Sequence, residues 1–497
     1  MNVLLSASQM RKIEKDYMTR NDVSEAELVK RAASAMADAI CHEIGGAAGK
    51  AAVFACGKGG NGSDGYETAR LFALRGGRSI IVELFPEGPF SPACSDMRYS
   101  ALNTPNVYIA KDIEMPKPSA WIDAMFGIGF SGKLPPKARE IAARMEQDRL
   151  NGCPVFSCDI PSGLDTDTGK AAEGCVKADC TVTFQYAKRG HFLNDGLDVC
   201  GKVYIRSIGI DEKPQGMLLN RYDAADLKNV IPIRKRNTHK GNYGHLLIVA
   251  GSFGMAGAAA LCAGAALRSG AGLVTIACTA SIVPILQTLI PCAMCIPLPE
   301  KDGAIADEAL PAVLAALNGK TAAAVGPGLS RRCSPAIVQA VLDADIPAVI
   351  DADALNIISQ EHTLKELLCE RHVITPHPGE ASRLGAAGDD PVENAVKLSS
   401  NGECVIYKGA SSVIYGQGTA VLSTAGTAGM ARGGSGDVLT GICGALLSRG
   451  ITPLEAACAA CELHGIAGEA AEDRNGIESM TASDMVDSLK EAFRHVR

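Results

Sequence analysis

The stretch Gly426-Thr-Ala-Gly-Met-Ala-Arg-Gly-Gly-Ser-Gly-Asp-Val-Leu-Thr-Gly441 gathers glycines around one carboxylate, Asp437, at the head of a small-residue apolar run. Gly433, Gly434 and Gly436 let backbone N–H groups point into one concavity, and a helix starting there adds its positive end. That geometry suits an anion, above all a phosphoryl group in transfer. Asp437, at the helix start, is positioned to take a proton from an attacking hydroxyl. A capped glycine-rich turn is the plainer reading. Here donors and a base share one loop, which favours phosphoryl chemistry.

On either side of this loop, short apolar runs alternate with helical stretches, the pattern of parallel α/β sheets. Upstream, strands are expected over 246–250, 273–278, 322–325, 348–350, 373–375 and 404–407, with a small-residue helix over 255–269. Strands at 412–415 and 419–422 flank Gly416-Gln417-Gly418, a hairpin signal, and helices over 436–448 and 453–470 close the series. The first half repeats the pattern, with strands over 51–56, 79–85, 121–126, 154–158 and 181–186 and helices over 64–75 and 137–149. Between the halves lies a polar stretch, 211–237, with Pro214, Gly216 and the basic cluster Arg234-Lys235-Arg236. It divides the chain into expected domains at 1–215 and 222–497.

Composition narrows the class. A length of 497 residues exceeds one ordinary core, and 47% hydrophobic residues can fill two. A net charge of −7 without basic blocks argues against nucleic acid as the partner. The N-terminus carries no signal pattern. Leu273 to Pro299 holds no charge, but Pro284, Pro291, Pro297 and Pro299 interrupt it, so buried strand and loop are expected and no membrane span. Of 18 cysteines, many lie in apolar runs (Cys158, Cys262, Cys404, Cys443). The CxxC pairs Cys292/Cys295 and Cys458/Cys461 lack the partners of a zinc site and are read as core packing in a reducing cytoplasm.

In the first domain the strand Ala51–Cys56 runs into Gly57-Lys-Gly-Gly-Asn-Gly-Ser-Asp-Gly65. Gly57, Gly59 and Gly62 match a dinucleotide-binding fingerprint, with Glu83 ending the next strand. Asp64 opposes that reading, because a carboxylate at the helix start repels a pyrophosphate seated there. A loop with Asn61 and Asp64 suits hydroxyl, amide or cation contacts. Asp123 within Trp121-Ile-Asp-Ala-Met-Phe126 and Asp159 within Asp159-Ile-Pro-Ser-Gly-Leu-Asp165 sit at two further strand ends, where open α/β sheets bind ligands. Taken singly, each Asp also reads as a loop cap.

Together these first-domain motifs resemble the NAD(P)H-hydrate epimerase family, which pairs an Asn-Asn-Gly-Gly-Asp-Gly loop with strands like those at Asp123 and Asp159. Gly60 stands where that loop has its first Asn, and Ser63 where it has a Gly. The loop at 426–441 resembles the ribokinase-like fold in its ADP/ATP-dependent NAD(P)H-hydrate dehydratase branch. Supporting pieces follow in order: the run from His239 to Ser252, Gly257-Ala258, Gly326-Pro-Gly328, Asp351-Ala-Asp-Ala-Leu355, Thr375-Pro-His-Pro-Gly-Glu380 and Lys408-Gly-Ala410. Thr427 and Ala428 depart from the usual Asn-Pro.

The resemblance implies a Rossmann-like three-layer domain followed by a ribokinase-like one, and a bifunctional enzyme. It would epimerise R and S hydrates of NADH and NADPH, then dehydrate the S hydrate with ADP, releasing AMP and phosphate, or with ATP. Asp159 and Asp437 would be catalytic. Gly60, Asn61, Gly62, Ser63 and Asp64, with Gly127, Ile128, Gly129, Phe130, Ser131, Gly132 and Lys133, would contact substrate in the first domain. Ala258, Gly328 and His377 would do so in the second. Lys408, Gly409, Ala410, Ser411, Ser412 and Gly436 would hold the nucleotide. Asn61, Asp123 and Ser162 would hold K+, and Mg2+ would accompany ADP or ATP. Small molecules are the expected partners, and a homo-oligomer the expected assembly. Two alternatives stay open: a ribokinase-type small-molecule kinase, and a first domain used for binding or scaffolding only.

Overall fold

The computed structural model describes residues 2–110 and 117–495, which form two compact units, Val3–Leu218 and Leu219–Arg497. The first unit is built on a seven-stranded parallel sheet in the order Val107–Ile109, Arg78–Glu83, Ala51–Cys56, Ala120–Ala124, Val155–Cys158, Cys180–Phe184, Lys202–Arg206. Successive side chains leave a strand on opposite faces. Phe54 accordingly joins Met36, Phe72 and Met97 from three helices on one side, whereas Val53 and Trp121 join Ile141 and Met145 of the helix Pro136–Leu150 on the other. The indole Nε1 of Trp121, the only tryptophan, donates to Asp148 at 2.8 Å. Strand order reverses between Ala51–Cys56 and Ala120–Ala124, and a crevice opens at such a switch point.

The helix after Ala51–Cys56 begins at Gly60, not near Asp64, so Asn61 to Asp64 are helical rather than loop. The glycines explain the early start. A Cβ on Gly57 would lie 2.0 Å from the Met125 carbonyl oxygen, one on Gly62 2.2 Å from that of Gly57, and one on Gly65 2.5 Å from Ala124 Cβ. Only bare backbone lets this helix sit so close to the strand ends. Two N-terminal helices, Ala7–Asn21 and Glu25–Ile44, were not anticipated, although Ser6 and Gln9 form a capping box and Ser24 caps the second.

The second unit carries a longer sheet. Seven parallel strands run Met294–Leu298, Leu273–Thr279, His245–Val249, Ala322–Val325, Ala348–Ile350, His372–Ile374, Cys404–Tyr407. The antiparallel hairpin Ser412–Gly416 and Thr419–Ser423 follows, and Leu219–Tyr222 lies parallel beside it. Helices Ala256–Arg268, Ser435–Ser448 and Pro453–Asn475 pack on one face with Leu246, Ile276 and Val349. Gly441 brings two of them together, since its Cβ would stand 2.1 Å from the Cys262 carbonyl oxygen.

Three expectations change here. The uncharged run 273–299 contains a short helix, Val283–Leu289, and an edge strand, Met294–Leu298, which tolerates Pro297 because an edge leaves donors unpaired anyway. Among the described residues no helix is long and apolar enough to cross a membrane. The polar stretch 211–237 is not bare linker: it holds the strand Leu219–Tyr222, and Leu227 and Ile231 enter the core of the second unit. Cys458 and Cys461 are core residues, and half-buried Cys295 packs against the same core, but Cys292 is exposed, so packing does not account for it.

The close seat of the glycine helix is testable. Gly65→Ala places a methyl against Ala124 and Cys56 and is expected to cost about 1–3 kcal/mol. Gly60→Ala meets nothing within 4 Å and is expected to leave the thermal midpoint unchanged. Circular-dichroism melts of the two variants check this, and equal midpoints would contradict it.

Candidate active sites

In the first unit three strand ends bound a cleft of about 210 Å³. Its polar lining is Glu14, Glu25, Asn61, Asp64, Asp159 and Lys188, and Leu28, Val29, Phe184 and Ile208 supply an apolar wall. Asp159 follows the strand Val155–Cys158 in left-handed backbone, φ 63°, which turns the chain sharply. Lys188, 1% exposed, pairs with its carboxylate, and Thr183 Oγ1 donates to the same oxygen at 2.8 Å. Burial would raise the Asp159 carboxyl, but the Lys188 ammonium outweighs it and holds the group below the usual carboxylate range. His191 Nδ1 accepts from the Lys188 N–H at 3.1 Å, so Nε2 carries the proton and donates to the Asp159 carbonyl at 2.8 Å. Burial, then the Lys188 charge, pushes this imidazole down to about 4, so it stays neutral.

Gly60, Asn61, Asp64, Gly127, Ile128 and Asp159 all line the cleft. Asp123 lies outside the lining and is fully buried. It accepts from Ser162 N at 2.7 Å, Ser162 Oγ at 2.5 Å, Ser157 Oγ at 3.0 Å and Met125 N at 3.3 Å. Burial still raises its carboxyl, and among the described residues no basic side chain pairs with it. Asn61 Nδ2 donates to the Phe126 carbonyl at 2.9 Å, and Phe126 N donates to Ser162 Oγ at 2.9 Å, which ties the three groups together. Gly62 and Ser63 are buried in the helix instead of lining the cleft. Gly129, Ser131, Gly132 and Lys133 are exposed outside it, and Phe130 packs on Phe126 with centroids 5.5 Å apart.

Sequence reasoning missed Glu14, Lys188, Thr183 and His191. Lys188 was within reach of the strand-end rule, since it follows the strand Cys180–Phe184 by four residues. Glu14 lies on a helix whose amphipathic pattern was not read.

The second unit repeats the motif with other residues. Asp351 ends the strand Ala348–Ile350 and is followed by Ala352 at φ 49°. Its carboxylate, 1% exposed, accepts from Lys408 Nζ at 2.8 Å, Thr375 Oγ1 at 2.7 Å and Thr440 Oγ1 at 2.7 Å. Burial raises it, Lys408 wins, and the group stays ionised. Asp437 lies in the first turn of Ser435–Ser448. Burial, then the Asp351 charge, pushes it up to about 7. Gly434, at φ 93°, starts the helix without a side-chain cap, and among the described residues the N–H groups of Gly433, Gly434, Gly436 and Asp437 find no backbone acceptor. His464, buried and neutral, props this turn through the Ser435 carbonyl at 3.0 Å.

Ala258 and Gly328 meet: a Cβ on Gly328 would stand 2.9 Å from that of Ala258. His377 is half-exposed, and its Nδ1 caps the helix Pro378–Arg383 by accepting from Gly379 N at 3.0 Å. Lys408 turns inward, with Gly436 beside its ammonium, while Gly409 and Ala410 are exposed, Ser411 is buried and Ser412 opens the hairpin. Asp351, Thr375, Glu380 and Thr440 form a network around Lys408 to which sequence reasoning gave no role, although all four stand in quoted motifs.

Known proteins match both units. Residues 246–491 fit the family model described as NAD(P)H-hydrate dehydratase, and residues 25–190 that described as YjeF-related protein N-terminus. Bifunctional NAD(P)H-hydrate repair enzymes are 32% identical in Coxiella burnetii, over 99% of both chains, and 33% in Moorella thermoacetica, over 99% of this chain and 97% of the relative. The crystal structure of the Bacillus subtilis ADP/ATP-dependent NAD(P)H-hydrate dehydratase, with ATP and Mg2+, covers 56% of this chain and 99% of its own at 27% identity and a TM-score of 0.47. With end-to-end similarity of this extent, the chain belongs to the family of bifunctional NAD(P)H-hydrate repair enzymes.

Proposed function

We propose that this chain repairs hydrated NADH and NADPH in two steps, epimerising the hydrates in the first unit and dehydrating the S epimer in the second. The observation that carries the reading is the set of unfilled N–H groups on Gly433, Gly434, Gly436 and Asp437 beside a carboxyl poised near neutrality. Relatives that match both units favour repair over a kinase acting alone.

A hydroxyl is a poor leaving group, and phosphorylation cures that. Asp437 takes the hydroxyl proton as the oxygen attacks the terminal phosphorus of ADP, and AMP leaves. With ATP, ADP leaves instead. The N–H groups of Gly433, Gly434 and Gly436 donate to the phosphoryl oxygens, and the helix end adds positive potential. Phosphate then departs as the ring loses a proton, restoring the dihydronicotinamide. Lys408 adds its charge beside Gly436, Lys408 to Ser412 hold the rest of the nucleotide, and Ala258, Gly328 and His377 face the hydrate. Mg2+, held by the nucleotide's phosphate oxygens, supplies charge neutralisation there.

In the first unit Asp159 moves a proton at the hydroxyl-bearing carbon, and residues 60–64 and 127–133 embrace the substrate. Asn61, Asp123 and Ser162 fit K+: they offer hard oxygens, and the buried Asp123 lacks a basic partner to balance its charge. Eighteen unpaired cysteines support a reducing compartment, the cytoplasm.

Asp437→Asn is expected to lower dehydratase turnover about 10²-fold or more with nucleotide affinity kept. Because the base must be ionised, and its carboxyl sits at about 7, wild-type kcat/KM should fall as pH drops through about 7 and level off above. Near-normal turnover of the variant, or a profile flat from pH 6 to 8, would sink the assignment. Asp159→Ala, given mixed epimers and ADP, should consume the S epimer quickly and the R epimer only at the uncatalysed rate; a single fast phase would remove Asp159 from the reaction. We also infer that the units are separable. A fragment beginning at Leu219 should unfold in one cooperative transition and dehydrate the S epimer, and insolubility or inactivity beside an active full chain would count against it.

A further inference from the structure

Glu14 has no place in the steps above, yet it lines the same cleft as Asp159. It lies on the helix Ala7–Asn21, on the far side of the sequence from the strand-end motifs. Its carboxyl is half-buried and, among the described residues, makes no hydrogen bond or ion pair. A carboxyl drawn out of water without a partner is costly, and such groups persist chiefly where function requires them. Its surroundings are also unlike those of Asp159, which holds Lys188 and Thr183. Asp159, held ionised, and Glu14, able to take either form near neutral pH, divide naturally into a base and an acid.

We propose that Glu14 is the second proton-transfer group of the epimerase cleft, giving a proton to the hydrated ring while Asp159 takes one. The proposal rests on the epimerase reading of this cleft. The carbon to be inverted carries the hydroxyl and is bonded to the ring nitrogen. Asp159 removes the hydroxyl proton, the carbon–nitrogen bond breaks, and its electron pair stays on nitrogen, which takes the proton of Glu14. The carbon becomes an aldehyde and rotates about its remaining carbon–carbon bond. Nitrogen then adds to the opposite face, Glu14 recovers its proton, and Asp159 returns the other to oxygen. Nothing is oxidised or reduced, and no co-reactant is needed.

The charges around Glu14 suit that task. Burial acts first, raising its carboxyl to about 7; Lys188 opposes it, while Asp159 and Glu25 reinforce it and Arg11 on its own helix opposes it. Beside the exposed Glu25, Asp64 from the helix Gly60–Leu74 is a further carboxyl of the cleft. It is pushed well above the carboxylate range, chiefly by burial. A group locked in its neutral form can hold a substrate hydroxyl or amide but cannot shuttle a proton in both directions near neutral pH, whereas Glu14 can.

The test uses the full chain, resolved R and S hydrates, and epimer interconversion followed chromatographically without nucleotide. Glu14→Gln should lower kcat about 10²-fold with KM nearly unchanged, and abolish the decline in kcat/KM that the wild type shows above about pH 7. Glu14→Asp should restore part of the rate and the alkaline decline, and the thermal midpoint of both variants should match wild type. Asp64→Asn should act on KM and leave the alkaline decline in place. If Asp64→Asn removes that decline and Glu14→Gln does not, or if Glu14→Gln matches wild type in rate and profile, the Glu14 assignment falls while the epimerase reading stands. If the wild type itself is no faster than the uncatalysed reaction, the epimerase reading falls and Glu14 with it.

Discussion

Each unit depends on one lysine ammonium that keeps a buried carboxylate ionised at the carboxyl end of a parallel sheet. Removing a carboxylate and an ammonium from water costs several kcal/mol per ion, and the pair recovers this only with close geometry and further hydrogen bonds. Both sites meet that condition, Asp159 with Lys188 and Thr183, and Asp351 with Lys408, Thr375 and Thr440. The negative charge so fixed then acts on a neighbour. Asp437 is pushed to about 7 by burial together with the Asp351 charge, whereas Glu14 is raised to about 7 by burial against the pull of Lys188, with Asp159 a smaller reinforcement of the rise. A fixed charge beside a titratable acid is the common design on two different sheets.

Backbone geometry holds these charges in place. Asp159 and Ala352 adopt left-handed conformations just beyond their strands, at φ 63° and 49°, which are unfavourable for residues with side chains and mark the turn into each site. Glycines serve the complementary purpose. Gly57, Gly62 and Gly65 bring a helix start against the sheet, and Gly434 opens the N–H groups ahead of Asp437. Positioning therefore comes from rigid elements rather than from long loops, as phosphoryl transfer and proton transfer both require.

Much of this was legible in the sequence for a definite reason. Strands of a parallel sheet are buried on both faces, so Ala51–Cys56, Ala322–Val325, Ala348–Ile350 and Cys404–Tyr407 read directly as short apolar runs. Asp159 and Asp437 could be found because the chemistry sits at strand and helix ends. Lys188, four residues past the strand Cys180–Phe184, was within reach of the same rule, but Glu14 was not, since its meaning lies in which cleft its helix approaches across the fold. His377 carries a role the sequence did not show: the Nδ1 of its ring caps the helix Pro378–Arg383. Lys408 was read as a nucleotide contact, and its ion pair with Asp351 was invisible because the two stand 57 positions apart.

The central claim is that one chain carries out the whole repair. Wild-type protein mixed with both hydrate epimers and ADP, and followed by the dihydronicotinamide absorbance, tests it most directly. Full recovery of absorbance from both epimers is expected, without a slow second phase at the uncatalysed epimerisation rate. No recovery with either ADP or ATP would contradict it.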